Sequence, residues 1–165
     1  MAPRARPVQA PANYGLGAAK PGEKLPWETV AGWIEASRNY WICTTRADGR
    51  PHAKPVWGVW LEEMVLFGTS DESVTGRNLR RDPRVAIHLE SGDEVAILEG
   101  EAGPLDRPEL LEPFADAYEK KYDYRPTQFS PEAPPWSLAP AKVLSWTEAD
   151  FTETATRWVF CNQPG

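Results

Sequence analysis

The chain has 165 residues, of which 24 are acidic and 18 basic, so its formal net charge is −6. This length fits one domain with a core of its own. The acidic balance argues against a nucleic-acid or membrane-surface partner, because both need a basic face. No apolar run approaches the ~20 residues of a membrane span. Residues 1–26 lack the apolar segment of a secretory signal, so we expect a cytoplasmic location.

Cysteine and histidine are scarce in this sequence. Cys43 and Cys161 are too few to build a disulfide scaffold, and each is expected to be a buried small hydrophobe. His52 and His88 do not stand at metal-finger spacing from these cysteines. We therefore expect no metal site.

The first 26 residues differ in composition from the rest. They hold five of the 17 prolines and show little hydrophobic periodicity, which is typical of an extended arm. The arm is either a disordered tail or a segment that packs on a partner subunit. The domain proper is expected over residues 27–165.

Short β-rich segments separated by helical ones make up that domain. An Asp-Gly pair at Asp48 predicts a tight hairpin, and Asp82-Pro83 predicts the end of a helix. The predicted elements are a helix over 27–38, strands over 40–46, 51–60 and 64–68, a helix over 73–81, strands over 84–89 and 94–102, a helix N-capped by Asp106 and ending at Tyr122, a Pro-rich loop over 123–140, and strands over 141–147 and 156–160. This pattern predicts a mainly β, α+β fold: an antiparallel barrel with two or three helices.

One segment combines a strand, a Thr-Ser loop and a basic helix, over residues 66–81. Hydroxyl groups and backbone N–H groups at a helix N-terminus suit a phosphate or another anion. Arg77, Arg80 and Arg81 fall at the spacing of one helix face, and Arg84 follows the proline. The alternative is a solvated face whose arginines only complement the helix dipole. No phosphate-binding glycine loop, nucleophile elbow or catalytic triad pattern is present.

Several short sequence segments, taken together in chain order, resemble the pyridoxamine 5′-phosphate oxidase-like family of flavin and deazaflavin proteins. They lie at residues 39–41, 46–52, 55–60, 77–86, 99–100 and 155–160. The resemblance implies a six-stranded split β-barrel, a homodimer and two cofactor sites at the subunit interface. It also implies an oxidoreductase that uses FMN or the deazaflavin coenzyme F-420 (8-hydroxy-5-deazaflavin) to move hydride to or from a small organic substrate.

The same resemblance assigns expected roles to individual residues. The backbone from Lys54 to Gly58 would run along the cofactor ring, and Trp57 would form part of its wall. The residues implied as cofactor-binding are Lys54, Pro55, Val56, Trp57, Gly58, Thr69, Ser70, Thr75, Arg77, Asn78 and Trp158. Trp158 would approach from the neighbouring subunit. No catalytic side chain is implied, because the protein would position and desolvate the ring.

One departure from the family pattern concerns the expected phosphate site. Thr75 stands where the family usually has lysine, and Ser73 or Val74 stands in place of its usual arginine. Each charge-assisted contact is worth about 1.5–3 kcal/mol. Two alternatives to an oxidoreductase therefore stay open: a non-catalytic flavin- or haem-binding protein, or a family member with a degenerate site. Haem would need His52 or His88 as an axial ligand and is the less favoured cofactor.

Overall fold

Nine strands and four helices occur in residues 2–8 and 23–160, the part of the chain that the computed structural model describes. In chain order they are β1 (Arg4–Pro7), α1 (Trp27–Ala36), β2 (Tyr40–Thr45), β3 (Pro51–Val56), β4 (Gly58–Leu61), β5 (Met64–Phe67), α2 (Val74–Arg81), β6 (Arg84–His88), β7 (Glu94–Pro104), α3 (Leu111–Tyr122), β8 (Trp136–Thr147), α4 (Phe151–Thr154) and β9 (Thr156–Val159). A short 3-10 turn, Pro108–Leu110, precedes α3.

All the strands belong to one antiparallel sheet. Its order is β1-β9-β8-β7-β6-β2-β3, while β5 pairs with both β8 and β4. The sheet does not close on itself, because within the described residues β3 has β2 as its only neighbour. The chain therefore has the mainly antiparallel α+β architecture of a split barrel, as the sequence predicts.

The inner face of this sheet carries the main core. Alternate residues of β2, Tyr40 and Ile42, are fully buried, and so are Ile87 of β6 and Leu98 of β7. Val30 and Ile34 of α1 belong to the same cluster of buried side chains. A second cluster joins α3 to the β4–β5 hairpin through Phe114, Leu66 and Val59, among others. Helix α3 is thereby held against β4, the strand that follows the predicted cofactor segment.

The predicted strand over 51–60 is in fact two strands that meet at Trp57. Gly58 pairs with Phe67 of β5, so the chain leaves β2 at this point and joins another strand. A Cβ on Gly58 would lie 2.8 Å from the carbonyl oxygen of Leu66, so the backbones approach more closely than a larger residue allows.

The predicted loop over 123–140 is shorter than expected, because β8 already begins at Trp136. Trp136 is buried and lies opposite both Phe67 and Pro104. Pro140 lies inside this strand at the register shift beside Gly100. A bulge tolerates a residue without an N–H donor, so this proline does not end the strand.

Three further differences from the sequence predictions are local. The expected N-cap at Asp106 is wrong: neither the 3-10 turn nor α3 has a side-chain cap, and their N-cap positions are Arg107 and Leu110. The short helix α4 was not predicted. Within the predicted arm, β1 pairs with β9 of its own chain, Arg4 lying opposite Val159. The arm's residues 9–22, and Cys161, lie outside the described residues.

In the described part of the chain, the helices are all too short or too polar to span a membrane.

Candidate functional site

The β2–β3 hairpin presents an open strand edge. Its turn is closed by the Arg46 N–H, which donates to the Arg50 carbonyl at 2.8 Å, and Gly49 has the positive φ of 83° that this turn needs. Along the β2–β3 ladder, residue pairs that exchange hydrogen bonds then alternate with residue pairs that do not. Ala53, together with the flanking Pro51 and Pro55, consequently turns its backbone polar groups away from β2. The open edge therefore offers several carbonyl groups but only one N–H, that of Ala53.

His52 has both ring nitrogens engaged at the start of this edge. Its Nδ1 lies 3.2 Å from Arg46 Nη2, and its Nε2 lies 3.3 Å from Thr75 Oγ1. Arginine only donates, so Nδ1 accepts and the ring proton is on Nε2. Burial, and then the charges of Arg46 and Lys54, lower the pKa of His52 below its ordinary value. His52 is thus a neutral link between β3 and α2.

Four cations of the β2–β3 hairpin and α2 have no carboxylate partner among the described residues, and two of them, Arg46 and Lys54, act on His52. Arg77 donates to the carbonyl of Glu72, and Arg81 donates to the carbonyl of Thr45. Within residues 2–8 and 23–160, no carboxylate lies at salt-bridge distance from Arg46, Lys54, Arg77 or Arg81. The positive charge of this group is therefore available to an anionic ligand, in a chain that is acidic overall.

The loop before α2 is tightly folded onto the helix. Ser73 is the N-cap, and its Oγ accepts from the Gly76 N–H at 2.9 Å and lies 2.9 Å from Thr69 Oγ1. Ser70 Oγ accepts from the Glu72 N–H at 3.2 Å. These contacts bring the hydroxyl groups of residues 69, 70 and 73 to the N-terminal end of α2, and their contact with an anion stays a prediction.

Two predicted site residues lie on the buried face of α2. Thr75 is fully buried and 3.3 Å from His52. Asn78 is 4% exposed, and its Nδ2 donates to Thr44 Oγ1 at 2.9 Å. Both residues fix α2 against the β2–β3 hairpin. Their contact with a cofactor stays a prediction.

A cage of side chains holds the backbone at Gly58, where β3 gives way to β4. The Gly58 N–H donates to Tyr122 Oη at 2.9 Å. Lys121 Nζ donates to the Gly58 carbonyl and to Tyr40 Oη, both at 3.1 Å. Next to this cage, the Trp57 indole lies parallel to the Tyr122 ring, with 4.6 Å between the centroids. The last turn of α3 thus fixes Gly58, the last residue of the segment 54–58 that is predicted to run along the cofactor ring.

Burial shifts the titration of two groups in this cage. It lowers the pKa of the Lys121 ammonium to about 8, which Glu35 opposes and Arg38 reinforces. It also raises the pKa of the Tyr40 phenol well above its usual range. Tyr40 is therefore a neutral hydroxyl, and Lys121 stays largely protonated at pH 7 as a donor to Gly58.

A sequence profile of pyridoxamine 5′-phosphate oxidase matches residues 26–148, most of the chain and nearly all of the barrel. The chain belongs to the pyridoxamine 5′-phosphate oxidase family. The match includes β3, the loop before α2 and the cage at Gly58. The comparison with curated proteins finds no match.

Solved structures are similar to this family member in fold. The conserved hypothetical protein Rv2991 from Mycobacterium tuberculosis is 23% identical, with a TM-score of 0.60 over 89% of this chain and 90% of that chain. General Stress Protein 26 from Bacillus anthracis is 19% identical, with a TM-score of 0.57 over 72% and 91%. A heme binding protein from Mycobacterium smegmatis is 23% identical, with a TM-score of 0.56 over 76% and 60%. At these identities the likeness concerns the fold alone.

The structure places some of the residues that the family resemblance selects near one another and buries Trp158 in the core. Gly58, the first residue of β4, lies opposite Phe67, the last residue of β5. Trp57, which precedes β4, is therefore near the segment that follows β5 and contains Thr69 and Ser70. Trp158, in contrast, is 3% exposed, and its Nε1 donates to Ser145 Oγ at 2.8 Å within its own core. Its approach to a cofactor in a second subunit stays a prediction.

Sequence reasoning missed Arg46, Lys121 and Tyr122 as parts of the site. Arg46 stands beside the hairpin turn, directly after Thr44 and Thr45, and a basic residue at this position is the sequence signal that could have identified it as part of the site. Tyr122 was assigned to the apolar stripe of α3, where it does pack, but its hydroxyl group serves Gly58. No sequence pattern connects Lys121 with a carbonyl 63 residues away.

Proposed function

We propose that this protein is an oxidoreductase that binds FMN or coenzyme F-420 and transfers hydride between that ring and a small organic substrate. The observation that carries the proposal is the set of four unpaired cations on the β2–β3 hairpin, whose β3 edge is open, and on α2, which packs on that hairpin. FMN and coenzyme F-420 both combine a flat ring with an anionic tail. When bound, the ring would supply the redox chemistry. The open edge of β3 would contact the ring, and the cations would contact the anionic tail.

The chain's own residues would bind, orient and shield this ring. Gly58 has its N–H and carbonyl satisfied by Tyr122 and Lys121, so these groups are not free to contact a ligand. Ala53 carries the remaining backbone donor along the edge of β3. The Trp57 indole adds an apolar wall, which excludes water from one side.

The tail of the cofactor would lie toward Arg46, Arg77 and Arg81. Charge-assisted hydrogen bonds from guanidinium groups are the strong contacts in such sites. Their present acceptors, a histidine nitrogen and two backbone carbonyls, are neutral. An anion would therefore be a better partner for these arginines than the groups they now contact. This compensates for the missing lysine at Thr75.

We further propose that two copies form the site together, by packing the outer face of the sheet. One row of residues crosses six strands on this face: Pro55, Trp41, His88, Ile97, Leu144 and Arg157. Trp41, His88, Ile97 and Leu144 are each partly exposed. An apolar row across a sheet of this size is typical of an interface.

The oligomeric state tests this interface. Sedimentation velocity at micromolar concentration should show a dimer, and a monomer would exclude the shared site.

Titration with the two cofactors tests the proposal, with Arg77→Ala as the informative variant. Arg77 is exposed and bonds a neutral carbonyl, so its loss should leave the fold intact. We expect at least tenfold weaker binding of whichever cofactor binds, the low end of a charge-assisted contact. Arg107→Ala is the control, because Arg107 is partly exposed and paired with Glu109. Equal affinity of wild type and Arg77→Ala would reject this anion site.

A visible spectrum separates these cofactors from haem, the second candidate. His88 Nδ1 lies 2.8 Å from the Leu89 carbonyl and must donate to it, which leaves Nε2 as the ligating nitrogen. His52 has both nitrogens engaged. A Soret band that His88→Ala abolishes and His52→Ala retains would therefore replace the flavin proposal by haem binding.

A further inference from the structure

The large apolar side chains that remain exposed lie in one place. Among the described residues these are Trp57, 41% exposed, and Tyr124, 50% exposed. Tyr118 joins them, with ring centroids 6.2 Å from Trp57 and 6.4 Å from Tyr124. Exposed aromatic side chains gathered in one cluster indicate a binding surface more strongly than scattered ones do.

This aromatic cluster is held rigidly. Trp57 and Tyr122 are parallel to within 5°, and the Tyr122 hydroxyl is fixed by Gly58. Because Tyr122 covers one face of the indole, the exposed area of Trp57 lies on the opposite face and edge. Arg125 bonds three carboxylates of α3, those of Glu112, Asp116 and Glu119, and so ties down the segment that carries Tyr124.

One cation stands beside these rings. The Arg38 guanidinium carbon is 5.9 Å from the Trp57 ring centroid and 5.7 Å from that of Tyr122. No carboxylate of the described residues lies at salt-bridge distance from Arg38. Lys121 is nearby, but it already donates to Gly58 and Tyr40. Glu35 and Glu90 also act on Lys121, and Glu90 lines the same surface pocket as Arg38 without lying at salt-bridge distance from it.

We propose that Trp57, Tyr118 and Tyr124 form a platform that binds a planar aromatic carboxylate, with the ring stacked on Trp57 and the carboxylate paired with Arg38. The rings favour a flat partner, because π faces stack and saturated rings do not match them. Arg38 favours an anion. Trp57 belongs to both sites: its edge would bound the cofactor ring at the end of segment 54–58, and its face turned away from Tyr122 would carry the platform ligand. If the proposed function holds, the bound molecule is the substrate that exchanges hydride with the cofactor ring.

Calorimetric titration of the full chain with three matched probes tests the platform. The probes are 2-naphthoate (planar and anionic), cyclohexanecarboxylate (anionic but not planar) and 2-naphthalenemethanol (planar but neutral). A stacked ring is worth at least about fivefold in affinity, so 2-naphthoate should bind at least about fivefold more tightly than cyclohexanecarboxylate. The neutral alcohol should also bind more weakly than the acid.

Single substitutions assign these preferences to residues. Trp57→Ala should abolish the preference for the planar acid, and Trp57→Phe should restore part of it. Arg38→Gln should make the acid and the alcohol bind alike. Tyr124→Ala, at a ring that is 50% exposed, is a second test that does not endanger the fold and should weaken naphthoate binding. Arg50→Gln is the control, because Arg50 is exposed, paired with Asp48 and on another part of the surface.

Each outcome either supports or overturns the platform. Failure of 2-naphthoate to bind at millimolar concentration, or equal binding to wild type and Trp57→Ala, would overturn it. So would a dimer that Trp57→Ala dissociates without any effect on naphthoate, since Trp57 would then belong to an interface. Naphthoate binding without FMN or F-420 binding would refute the proposed function and keep the platform. Cofactor binding without naphthoate binding would refute the platform and keep the proposed function.

Discussion

Gly32 and Gly76 both lie inside helices, yet we expect alanine to have opposite effects at the two positions. A Cβ on Gly32 of α1 would have no neighbouring atom within 4 Å. A Cβ on Gly76 of α2 would lie 2.2 Å from the carbonyl oxygen of Ser70 and 2.8 Å from Asp71 Cα. These are backbone atoms, which cannot rotate out of the way.

The two magnitudes follow from one favourable and one unfavourable contribution. Alanine in a helix interior restricts the unfolded chain and adds about 0.5–1 kcal/mol of stability. Gly32→Ala gains this in full. At Gly76 an overpacking cost of about 1–3 kcal/mol opposes it, and contact with backbone places the cost at the upper end. Gly76→Ala should therefore lose about 2 kcal/mol, which places the two variants about 3 kcal/mol apart.

Urea unfolding of the two variants and wild type, at equal protein concentration and followed by tryptophan fluorescence, measures this difference. We expect the midpoint of Gly32→Ala above wild type and that of Gly76→Ala below it. Displacement of the Ser70 loop should also weaken cofactor binding in Gly76→Ala only. A Gly76→Ala midpoint equal to that of Gly32→Ala would refute the close approach of α2 to residues 70–71.

Two other predictions use the same unfolding assay. Tyr122→Phe keeps the ring but leaves the buried Gly58 N–H without its acceptor, so the free energy of unfolding should fall by about 1–3 kcal/mol; a fall below about 0.5 kcal/mol would mean that Gly58 does not depend on this hydroxyl. The pKa of His52 lies below its ordinary 6.5 in the folded chain, so the folded chain binds fewer protons than the unfolded chain as pH falls. Stability should therefore decline from pH 6.5 downward through the folded pKa, and His52→Gln should flatten this slope; identical slopes would contradict the neutral link.

Local sequence signals predicted the parts of the fold that depend on few residues. Asp48-Gly49 predicted the hairpin, and Gly49 indeed has positive φ. The segment from Ser73 to Arg81 predicted α2, which the structure has over Val74–Arg81 with Ser73 as its N-cap. The start of β8 was missed because prolines around Trp136 are typical of loops. What makes this segment a strand is pairing with β5 and β7, which no local pattern contains.

The candidate site was predictable in its location but not in its electrostatics. Spacing placed Arg77, Arg80 and Arg81 on one helix face, with Arg84 following beyond the proline. In the structure Arg80 pairs with Asp71 and Arg84 with Asp82, which neutralises these two and leaves Arg77 and Arg81. These pairings depend on how α2 and the neighbouring turns are oriented. The cage at Gly58 likewise depends on α3 returning to β4 over more than 60 residues of chain.

The prolines of β3 have a consequence for how the protein behaves at high concentration. A bare strand edge is ordinarily a template on which further chains add, leading to aggregation. Pro51 and Pro55 remove two of the donors that an incoming strand would need, and leave Ala53 between them. A small flat molecule needs only one or two such donors, whereas an intermolecular ladder needs a continuous series. The same edge can thus stay open to a ligand and closed to self-association by strand addition.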